Sequence, residues 1–208
     1  MKYREFDKRS MTGVILAGGE ARRMGGIDKG LVTAAGRPMV EYVLTALAPQ
    51  VDAVIISANR NREKYARYGH PVVADEFPGY NGPLAGMASA MRAADSEFIV
   101  TAPCDSPFLP PDLVSRLALA MLDADADICA ADNGERLQPV FSLLRTRLLG
   151  SLLDFLKRGE RKIDKWFAEH RTAVADFSDR PDTFLNVNTP EDLARIEAQL
   201  REPGHAAP

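Results

Sequence analysis

The chain has 208 residues, of which 46% are hydrophobic and 26% are charged, and its formal net charge is −3. This balance and length predict one folded domain whose core needs neither disulfides nor a metal. The slight acidity argues against nucleic acid as a partner, since phosphate-backbone binding relies on clustered Lys and Arg. No apolar run is long enough for a signal peptide or a membrane span, which predicts a cytoplasmic protein without a membrane partner.

Short apolar runs alternate along the chain with segments of helical periodicity. The predicted strands are residues 13–17, 53–57, 72–74, 98–102, 127–131, 138–143, 173–177 and 184–187. The predicted helices are residues 39–47, a segment opened by Pro83, residues 112–122 and residues 190–200. Thr189, with Asp192 three residues on, is the predicted N-cap of the last helix. This order predicts an α/β fold with a mostly parallel sheet, and it places ligands beyond the carboxyl ends of the strands.

Residues 133–177 interrupt the alternation and are predicted to form a small irregular lobe, antiparallel or helical, within one domain spanning residues 11–200. Residues 1–10 are predicted to be an N-terminal extension. Residues 201–208, which contain Pro, Gly and Ala, are predicted to be a disordered tail.

A glycine-rich and positively charged loop follows the first predicted strand, in the sequence VILAGGEARRMGGIDKG at residues 14–30. Glycines allow backbone N–H groups to approach an anion closely, and Arg22, Arg23 and Lys29 add three cations. The loop matches neither the P-loop pattern nor the dinucleotide fingerprint. A tight turn would explain the glycines alone, and a solvated basic loop would explain the cations alone. The combination of glycines and cations favours a loop that holds the triphosphate of a nucleotide.

Asp105 stands at the end of another predicted strand, in the sequence TAPCDSP at residues 101–107. A carboxylate there would face the glycine-rich loop across the sheet. Mg²⁺ usually binds one or two protein carboxylates together with substrate phosphates and water, so Asp105 is the candidate metal ligand. The alternative is that Asp105 caps the helix that begins near Pro110, although Ser106 and Asp112 are better placed for capping.

Other polar side chains are expected at the same rim of the sheet. Asn59 and Asp75 each follow a predicted strand, and NGPLAG at residues 81–86 begins a helix whose N-terminus favours anionic groups. In NVNTPEDL, Asn186 and Asn188 point to one side of an extended segment. A substrate role for this pair and simple turn chemistry before a helix N-cap both remain open from the residues alone.

Taken together, LAGGEARRMGGIDKG, SANR, GPLAG, PCDSP and NVNTPEDL resemble the motifs of the molybdenum cofactor guanylyltransferases, in order from Leu16 to about Leu193. The resemblance implies a Rossmann-like sheet flanked by helices, and Mg²⁺ as the metal. It implies transfer of GMP from GTP to the molybdenum-loaded molybdopterin cofactor, which gives the guanine dinucleotide cofactor and pyrophosphate. A protein that delivers the pterin and molybdoenzymes that receive the product are further implied partners.

The resemblance also implies roles for residues of the nucleotide site. The residues implied to bind GTP are Leu16, Ala17, Gly18, Lys29, Asn59, Asp75 and Asp105. The first three would act through backbone groups, Lys29 on the phosphates, and Asn59 with Asp75 toward the nucleoside. Asp105 would also bind Mg²⁺. Lys29, Arg23 and Asp105 are the predicted catalytic residues, because the approach of two phosphate groups requires charge neutralisation and alignment.

Asn186 and Asn188 are predicted to serve the pterin substrate, since amides can donate to and accept from a pterin ring and its phosphate. Arg161 and Lys162 are predicted to lie toward that phosphate. The alternatives are a cytidylyltransferase acting on the same pterin, a sugar-phosphate nucleotidyltransferase, or a non-catalytic nucleotide-binding regulator. The LAGG sequence favours a purine, because cytidylyl relatives tend to read LAAG. The presence of both Asp105 and Lys29 argues against a regulator, because nucleotide binding alone would not need a metal-holding carboxylate at the α-phosphate.

Overall fold

The computed structural model describes residues 11–19, 26–76 and 82–202. The predicted catalytic residue Arg23, the predicted N-terminal extension and the end of the predicted tail lie outside these ranges. The strands are β1 Met11–Leu16, β2 Thr33–Ala34, β3 Arg37–Pro38, β4 Ala53–Ser57, β5 Val72–Val73, β6 Phe98–Pro103, β7 Ile128–Asp132, β8 Leu137–Arg145 and β9 Thr172–Asp176. The α-helices are α1 Met39–Leu47, α2 Arg62–Ala66, α3 Pro83–Ala93, α4 Leu113–Asp123, α5 Leu149–Lys157, α6 Ile163–Phe167 and α7 Pro190–Leu200.

A seven-stranded sheet in the order β5-β4-β1-β6-β8-β7-β9 forms the centre of the molecule. Its strands are parallel except β8, which runs antiparallel to both of its neighbours. The chain proceeds outward from β1 to β4 and β5, then crosses to β6 on the other side of β1. This reversal creates a switch point at the carboxyl ends of β1 and β6, where open α/β sheets bind ligands. The predicted mostly parallel α/β fold is confirmed.

Both faces of the sheet are covered by helices, because successive side chains of each buried strand point to opposite faces. Ile15 packs into a cluster with α1 and α4, whereas the preceding Val14 packs into a second cluster with α3, α5 and α6. A third cluster joins α7 to the β2–β3 hairpin and the start of α1, through side chains such as Ile196 and Met39. No helix in the described ranges is both long enough and apolar enough to cross a membrane.

Seven of the eight predicted strands are present within one or two residues of their predicted ends, but the strand predicted at residues 184–187 is wrong. A 3-10 helix occupies Pro181–Phe184, and residues 185–188 belong to no strand. The apolar pattern has another cause. The Phe184 ring packs edge-on against Phe141 at 4.8 Å and Phe177 at 5.4 Å, and Val187 is buried in the third cluster.

The segment at residues 133–177, predicted to be a small lobe, is part of the central sheet. It supplies β8, which lies between β6 and β7, and β9, which is the edge strand. It also supplies α5 and α6, whose buried side chains belong to the second core cluster. The alternation of strands and helices breaks here because β8 follows β7 directly in an antiparallel hairpin.

Candidate active site

The register of the parallel strands brings four of the predicted site residues to one edge of the sheet. Leu16 at the end of β1 pairs with Ser57 on β4 and with Pro103 on β6, and Ser57 in turn pairs with Val73 on β5. The residues that follow these strands therefore leave the sheet at the same level. They are Gly18, Asn59, Asp75 and Asp105.

Lys29 joins two segments that are distant in sequence. Its Nζ donates to Asp105 Oδ2 at 2.9 Å and to Asn188 Oδ1 at 2.7 Å. The Asp105 residue is only 6% exposed, and burial raises the pKa of its carboxyl, an effect that the nearby Lys29 ammonium opposes. A cation and a carboxylate thus share the carboxyl end of β6, next to the switch point of the sheet.

Asn59 and Asp75 form a second polar pair at this edge. Asn59 Nδ2 donates to Asp75 Oδ2 and Asp75 N donates to Asn59 Oδ1, both at 2.8 Å. A Cβ atom on Gly18 would lie 3.2 Å from Asn59 Nδ2, so glycine allows the backbone to approach the pair closely. Asp75 Oδ1 is buried and has no hydrogen-bond partner among the described residues. Burial raises the pKa of Asp75. The pair therefore presents one acceptor that a ligand's N–H group could satisfy.

Two backbone groups in the stretch predicted to hold the nucleotide already bind neighbouring strands. Cys104 N donates to Leu16 O at 3.1 Å, and Ala17 N donates to Ser57 O at 2.7 Å. These bonds continue the sheet beyond β1 and fix the start of the glycine-rich loop. Leu16 O and Ala17 N are therefore already bonded within the protein. The predicted nucleotide contact of Leu16, Ala17 and Gly18 would have to use their remaining backbone groups, and it stays a prediction.

The NVN segment lies beside Asp105. Ser106 Oγ is hydrogen bonded to Asn186 Oδ1, and Val187 N donates to Asp105 O at 3.3 Å. Asn188 Oδ1 accepts from Lys29, as described above. Both asparagines predicted to serve the pterin therefore adjoin the residues predicted to serve the nucleotide, and their assignment to the pterin stays a prediction.

The N-terminus of α7 holds the backbone of Asn188. The predicted capping box is present: Asp192 N donates to Thr189 Oγ1 at 3.1 Å, and Asp192 Oδ2 accepts from Thr189 N at 3.0 Å. The same Asp192 Oδ2 accepts from Asn188 N at 3.0 Å. These bonds to Asp192 lower its pKa. The Asp192 carboxylate thus stabilises both the N-terminus of α7 and the backbone of Asn188, whose side chain contacts Lys29.

Arg161 and Lys162, the predicted cations for the pterin's phosphate, lie exposed between α5 and α6. The Arg161 guanidinium donates to the carbonyl groups of Leu156 and Glu160, at 2.8 and 2.6 Å. These bonds anchor Arg161 to its own turn, and its predicted role stays untested.

A buried polar group next to Lys29 escaped the sequence analysis. The Asp28 carboxylate accepts from the Tyr65 hydroxyl at 2.5 Å and from Asn61 Nδ2 at 2.9 Å. Asp28 is 9% exposed and Tyr65 is fully buried. The only signal in the sequence was the acidic residue between Ile27 and Lys29, whose partners lie more than 30 positions away.

Arg60, also missed, connects the two described parts of the glycine-rich loop. Its guanidinium donates to Gly26 O at 2.8 Å through Nη1 and to Gly19 O at 2.9 Å through Nη2. The SANR motif thus contributes a residue that holds the loop as well as Asn59.

The site suits a divalent metal bound partly by substrate. No group of three or more His, Cys, Asp or Glu side chains within the described ranges could hold a metal by itself. The buried Asp105 carboxylate offers one hard oxygen donor, and Mg²⁺ commonly completes its shell with phosphate oxygens and water. The donor chemistry therefore fits a metal that arrives with a triphosphate.

Replacing Gly30 with alanine is expected to destabilise the protein by about 1–3 kcal/mol, because overpacking a buried position forces its neighbours to move. A Cβ atom at Gly30 would lie 2.5 Å from the Tyr65 hydroxyl oxygen and 3.0 Å from Cys104 Cβ. Gly150→Ala in α5 is the matched control, since its Cβ would meet nothing within 4 Å. Urea unfolding measures both variants, and equal loss in the two would contradict the steric explanation.

The chain shares its sequence pattern and its fold with a class of nucleotidyltransferases. The MobA-like NTP transferase domain matches residues 13–174 of the chain, which makes it a nucleotidyltransferase. A solved structure, titled molybdopterin-guanine dinucleotide biosynthesis protein A from Archaeoglobus fulgidus, has the same fold. It superposes with a TM-score of 0.77 at 24% identity, over 91% of this chain and 98% of that one.

Two curated relatives define the family more closely. The molybdenum cofactor guanylyltransferase of Shewanella sp. (strain MR-4) is 50% identical over 189 residues, covering 91% of this chain and 96% of the relative. The enzyme of the same name from Shewanella loihica is 51% identical over 187 residues, covering 90% and 95%. The chain belongs to the molybdenum cofactor guanylyltransferase family.

Proposed function

We propose that the protein transfers GMP from GTP to the molybdenum-loaded molybdopterin cofactor and releases pyrophosphate. The observation that carries this proposal is the Lys29 ammonium held between Asp105 and Asn188 at the switch point of the sheet. That arrangement supports a triphosphate site here, with Lys29 as its positive charge and Asp105 as the proposed metal ligand. The relatives named above carry the same activity in their names.

The chemistry is an exchange of one phosphoanhydride bond for another. A terminal phosphate oxygen of the pterin forms a bond to the α-phosphorus of GTP, and the bond from that phosphorus to the β-phosphate oxygen breaks. The nucleophile is already an anion, so no general base is needed. Lys29 neutralises charge on the triphosphate, and Asp105 would hold Mg²⁺ on it. Bound Mg²⁺ would supply further positive charge to the leaving pyrophosphate.

The nucleoside end has its own candidate contacts. Asp75 would face it with Oδ1, which has no hydrogen-bond partner among the described residues, while Asn59 holds Asp75 in place through two hydrogen bonds. Guanine carries N–H donors on its Watson–Crick edge that a carboxylate can accept. The free, buried thiols of Cys104 and Cys129 and the use of GTP support a cytoplasmic location. A pterin-delivering protein and acceptor molybdoenzymes would be its partners.

The direct test is pyrophosphate release from purified protein with GTP, Mg²⁺ and the molybdenum-loaded pterin. Release is expected only when all three are present, and the pterin product should contain one GMP per molecule. Equal release with CTP would support the cytidylyl alternative. GTP binding without turnover would support a non-catalytic regulator.

Replacement of Asn188 by alanine is expected to raise KM for the pterin by up to about tenfold, which corresponds to about 1.4 kcal/mol. GTP affinity should be unchanged, because Lys29 keeps Asp105 as a partner. Separate titrations of GTP and pterin into the Asn188→Ala protein measure the two affinities, with Asn186→Ala as the companion variant. Weaker GTP binding with normal pterin binding would place Asn188 on the nucleotide side.

A further inference from the structure

The position of Lys29 depends on a short turn that is held in place by side chains packed against it. Leu31 N donates to Asp28 O at 3.0 Å and Val32 N donates to Lys29 O at 3.2 Å, which closes a 3-10 helix at Lys29–Leu31. A helix of one turn has little stability of its own. The direction in which the Lys29 side chain leaves it must therefore be fixed by what the turn rests on.

The turn rests on side chains from the segment after β4. Both oxygens of Asp28 are engaged: Oδ1 accepts from the Tyr65 hydroxyl and Oδ2 accepts from Asn61 Nδ2. Burial raises the pKa of Tyr65, so its hydroxyl stays protonated and remains a donor. Gly30 also packs against the Tyr65 hydroxyl, and against Cys104, so closely that an added Cβ atom would lie 2.5 Å from that hydroxyl oxygen.

Asn61 has a backbone conformation suited to this contact. Its φ of 49° and ψ of 29° lie in the left-handed region, which asparagine tolerates better than most residues. Its side chain forms no cap on α2. The Asn61 amide instead donates to Asp28. Asn61 therefore holds the turn at Lys29 and does not cap α2.

We infer that Asn61 and Tyr65 are positioning residues for the transfer reaction, which hold Asp28 so that the adjacent Lys29 ammonium stays on the triphosphate site. They touch no reacting group and act through Lys29. The inference rests on the proposed function, since it assigns the held lysine to the phosphates of GTP. We call Asn61, Tyr65 and the Asp28 carboxylate that they hold the clamp. Because a catalytic charge displaced by about 1 Å can lose much of its rate enhancement, the clamp should influence turnover more than recognition of the base.

Three variants test the clamp. Tyr65→Phe removes the donor to Asp28 Oδ1, and Asn61→Gly removes the donor to Oδ2 while glycine keeps the left-handed backbone unstrained. Tyr68→Phe is the matched control, because Tyr68 lies three residues further along and the carboxylate that influences its hydroxyl is Glu41, not Asp28. Each protein is assayed well below its Tm for kcat, for KM, and for Kd of GTP and of guanosine, which lacks phosphates.

We expect Tyr65→Phe and Asn61→Gly each to lower kcat about tenfold, equivalent to about 1.4 kcal/mol in the barrier. The Kd for GTP should rise while the Kd for guanosine stays at the wild-type value, and Tyr68→Phe should match the wild type throughout. Normal kcat and normal GTP affinity in both clamp variants, with only Tm reduced, would show that the clamp merely stabilises the fold. If Tyr65→Phe does not fold, Asn61→Gly alone decides.

A double-mutant cycle with Lys29→Met separates the inference from the proposed function. In the Lys29→Met background, Tyr65→Phe or Asn61→Gly should cause no further loss of kcat, since the group they position is gone. The same tenfold loss in that background would overturn the inference, because the clamp would then act independently of Lys29. If Lys29→Met itself has normal GTP affinity and kcat, the phosphate role proposed for Lys29 fails, and the inference fails with it.

Discussion

Replacement of Asp105 by asparagine is expected to lower turnover by at least about a hundredfold, as loss of one strong electrostatic group of a transition state does. The amide has nearly the same shape but no charge, so it would hold Mg²⁺ poorly. It should not disrupt folding, because burial already disfavours the charged carboxylate and the Lys29 ammonium keeps Asn188 as an acceptor. Steady-state kcat and Tm measured on the same preparation check both statements.

Asp112→Asn is a suitable control for the Asp105 variant. Asp112 lies at the start of α4 and pairs with Arg116 and Arg180, apart from the residues predicted to bind substrate. It should retain normal turnover. Near-normal turnover of Asp105→Asn at ordinary Mg²⁺ concentration would show that the Asp105 carboxylate is structural. Rescue at high Mg²⁺ would instead support its role as a metal ligand.

GTP is expected to be used in preference to ATP and CTP by several kcal/mol in kcat/KM. A site built to bind a donor rejects a base that lacks it, because its own buried polar group would stay unpaired. Asp75 Oδ1 is such a group: it is buried and without a partner among the described residues. Guanine offers N–H donors on its Watson–Crick edge, whereas adenine presents an acceptor at the corresponding ring nitrogen. Equal kcat/KM for GTP and ATP would contradict this prediction.

Binding can be measured separately from turnover by thermal unfolding with each nucleoside triphosphate and Mg²⁺. A ligand at a hundredfold excess over its Kd stabilises the folded state by roughly 2.7 kcal/mol, and only GTP should do so. Asp75→Asn should reduce the difference between GTP and ATP.

The affinity for GTP should also depend on pH through Asp75. Burial raises the pKa of Asp75, and the hydrogen bond from Asn59 partly opposes the rise. The carboxylate accepts from guanine only when ionised, so affinity should fall as the pH decreases through this raised pKa. The loss should occur at a higher pH than for an exposed aspartate, whose pKa is about 3.9. In Asp75→Asn, this part of the pH dependence should be absent.

The sequence by itself determined most of the secondary structure and the chemical character of the site. Apolar runs and helical periodicity are local properties, so they predicted seven strands of the sheet and the helices α1, α3, α4 and α7, but not α2, α5 or α6. The capping box of Thr189 and Asp192 is also local and was predicted correctly. The glycine-rich stretch with Lys29 and the carboxylate after β6 indicate nucleotide chemistry by their residue types alone.

Only the tertiary structure decided which groups meet. Lys29 and Asn188 are 159 positions apart. Their contact depends on the register of β1 with β6, and on the NVN segment lying beside Asp105. The hydrogen bonds of Asp28 with Asn61 and Tyr65 likewise join two segments, and the sequence of neither segment predicts the contact. Register, strand order and the antiparallel insertion of β8 arise from packing between distant segments. Local periodicity fixes the face on which a side chain lies, but it does not fix the neighbour that the side chain contacts.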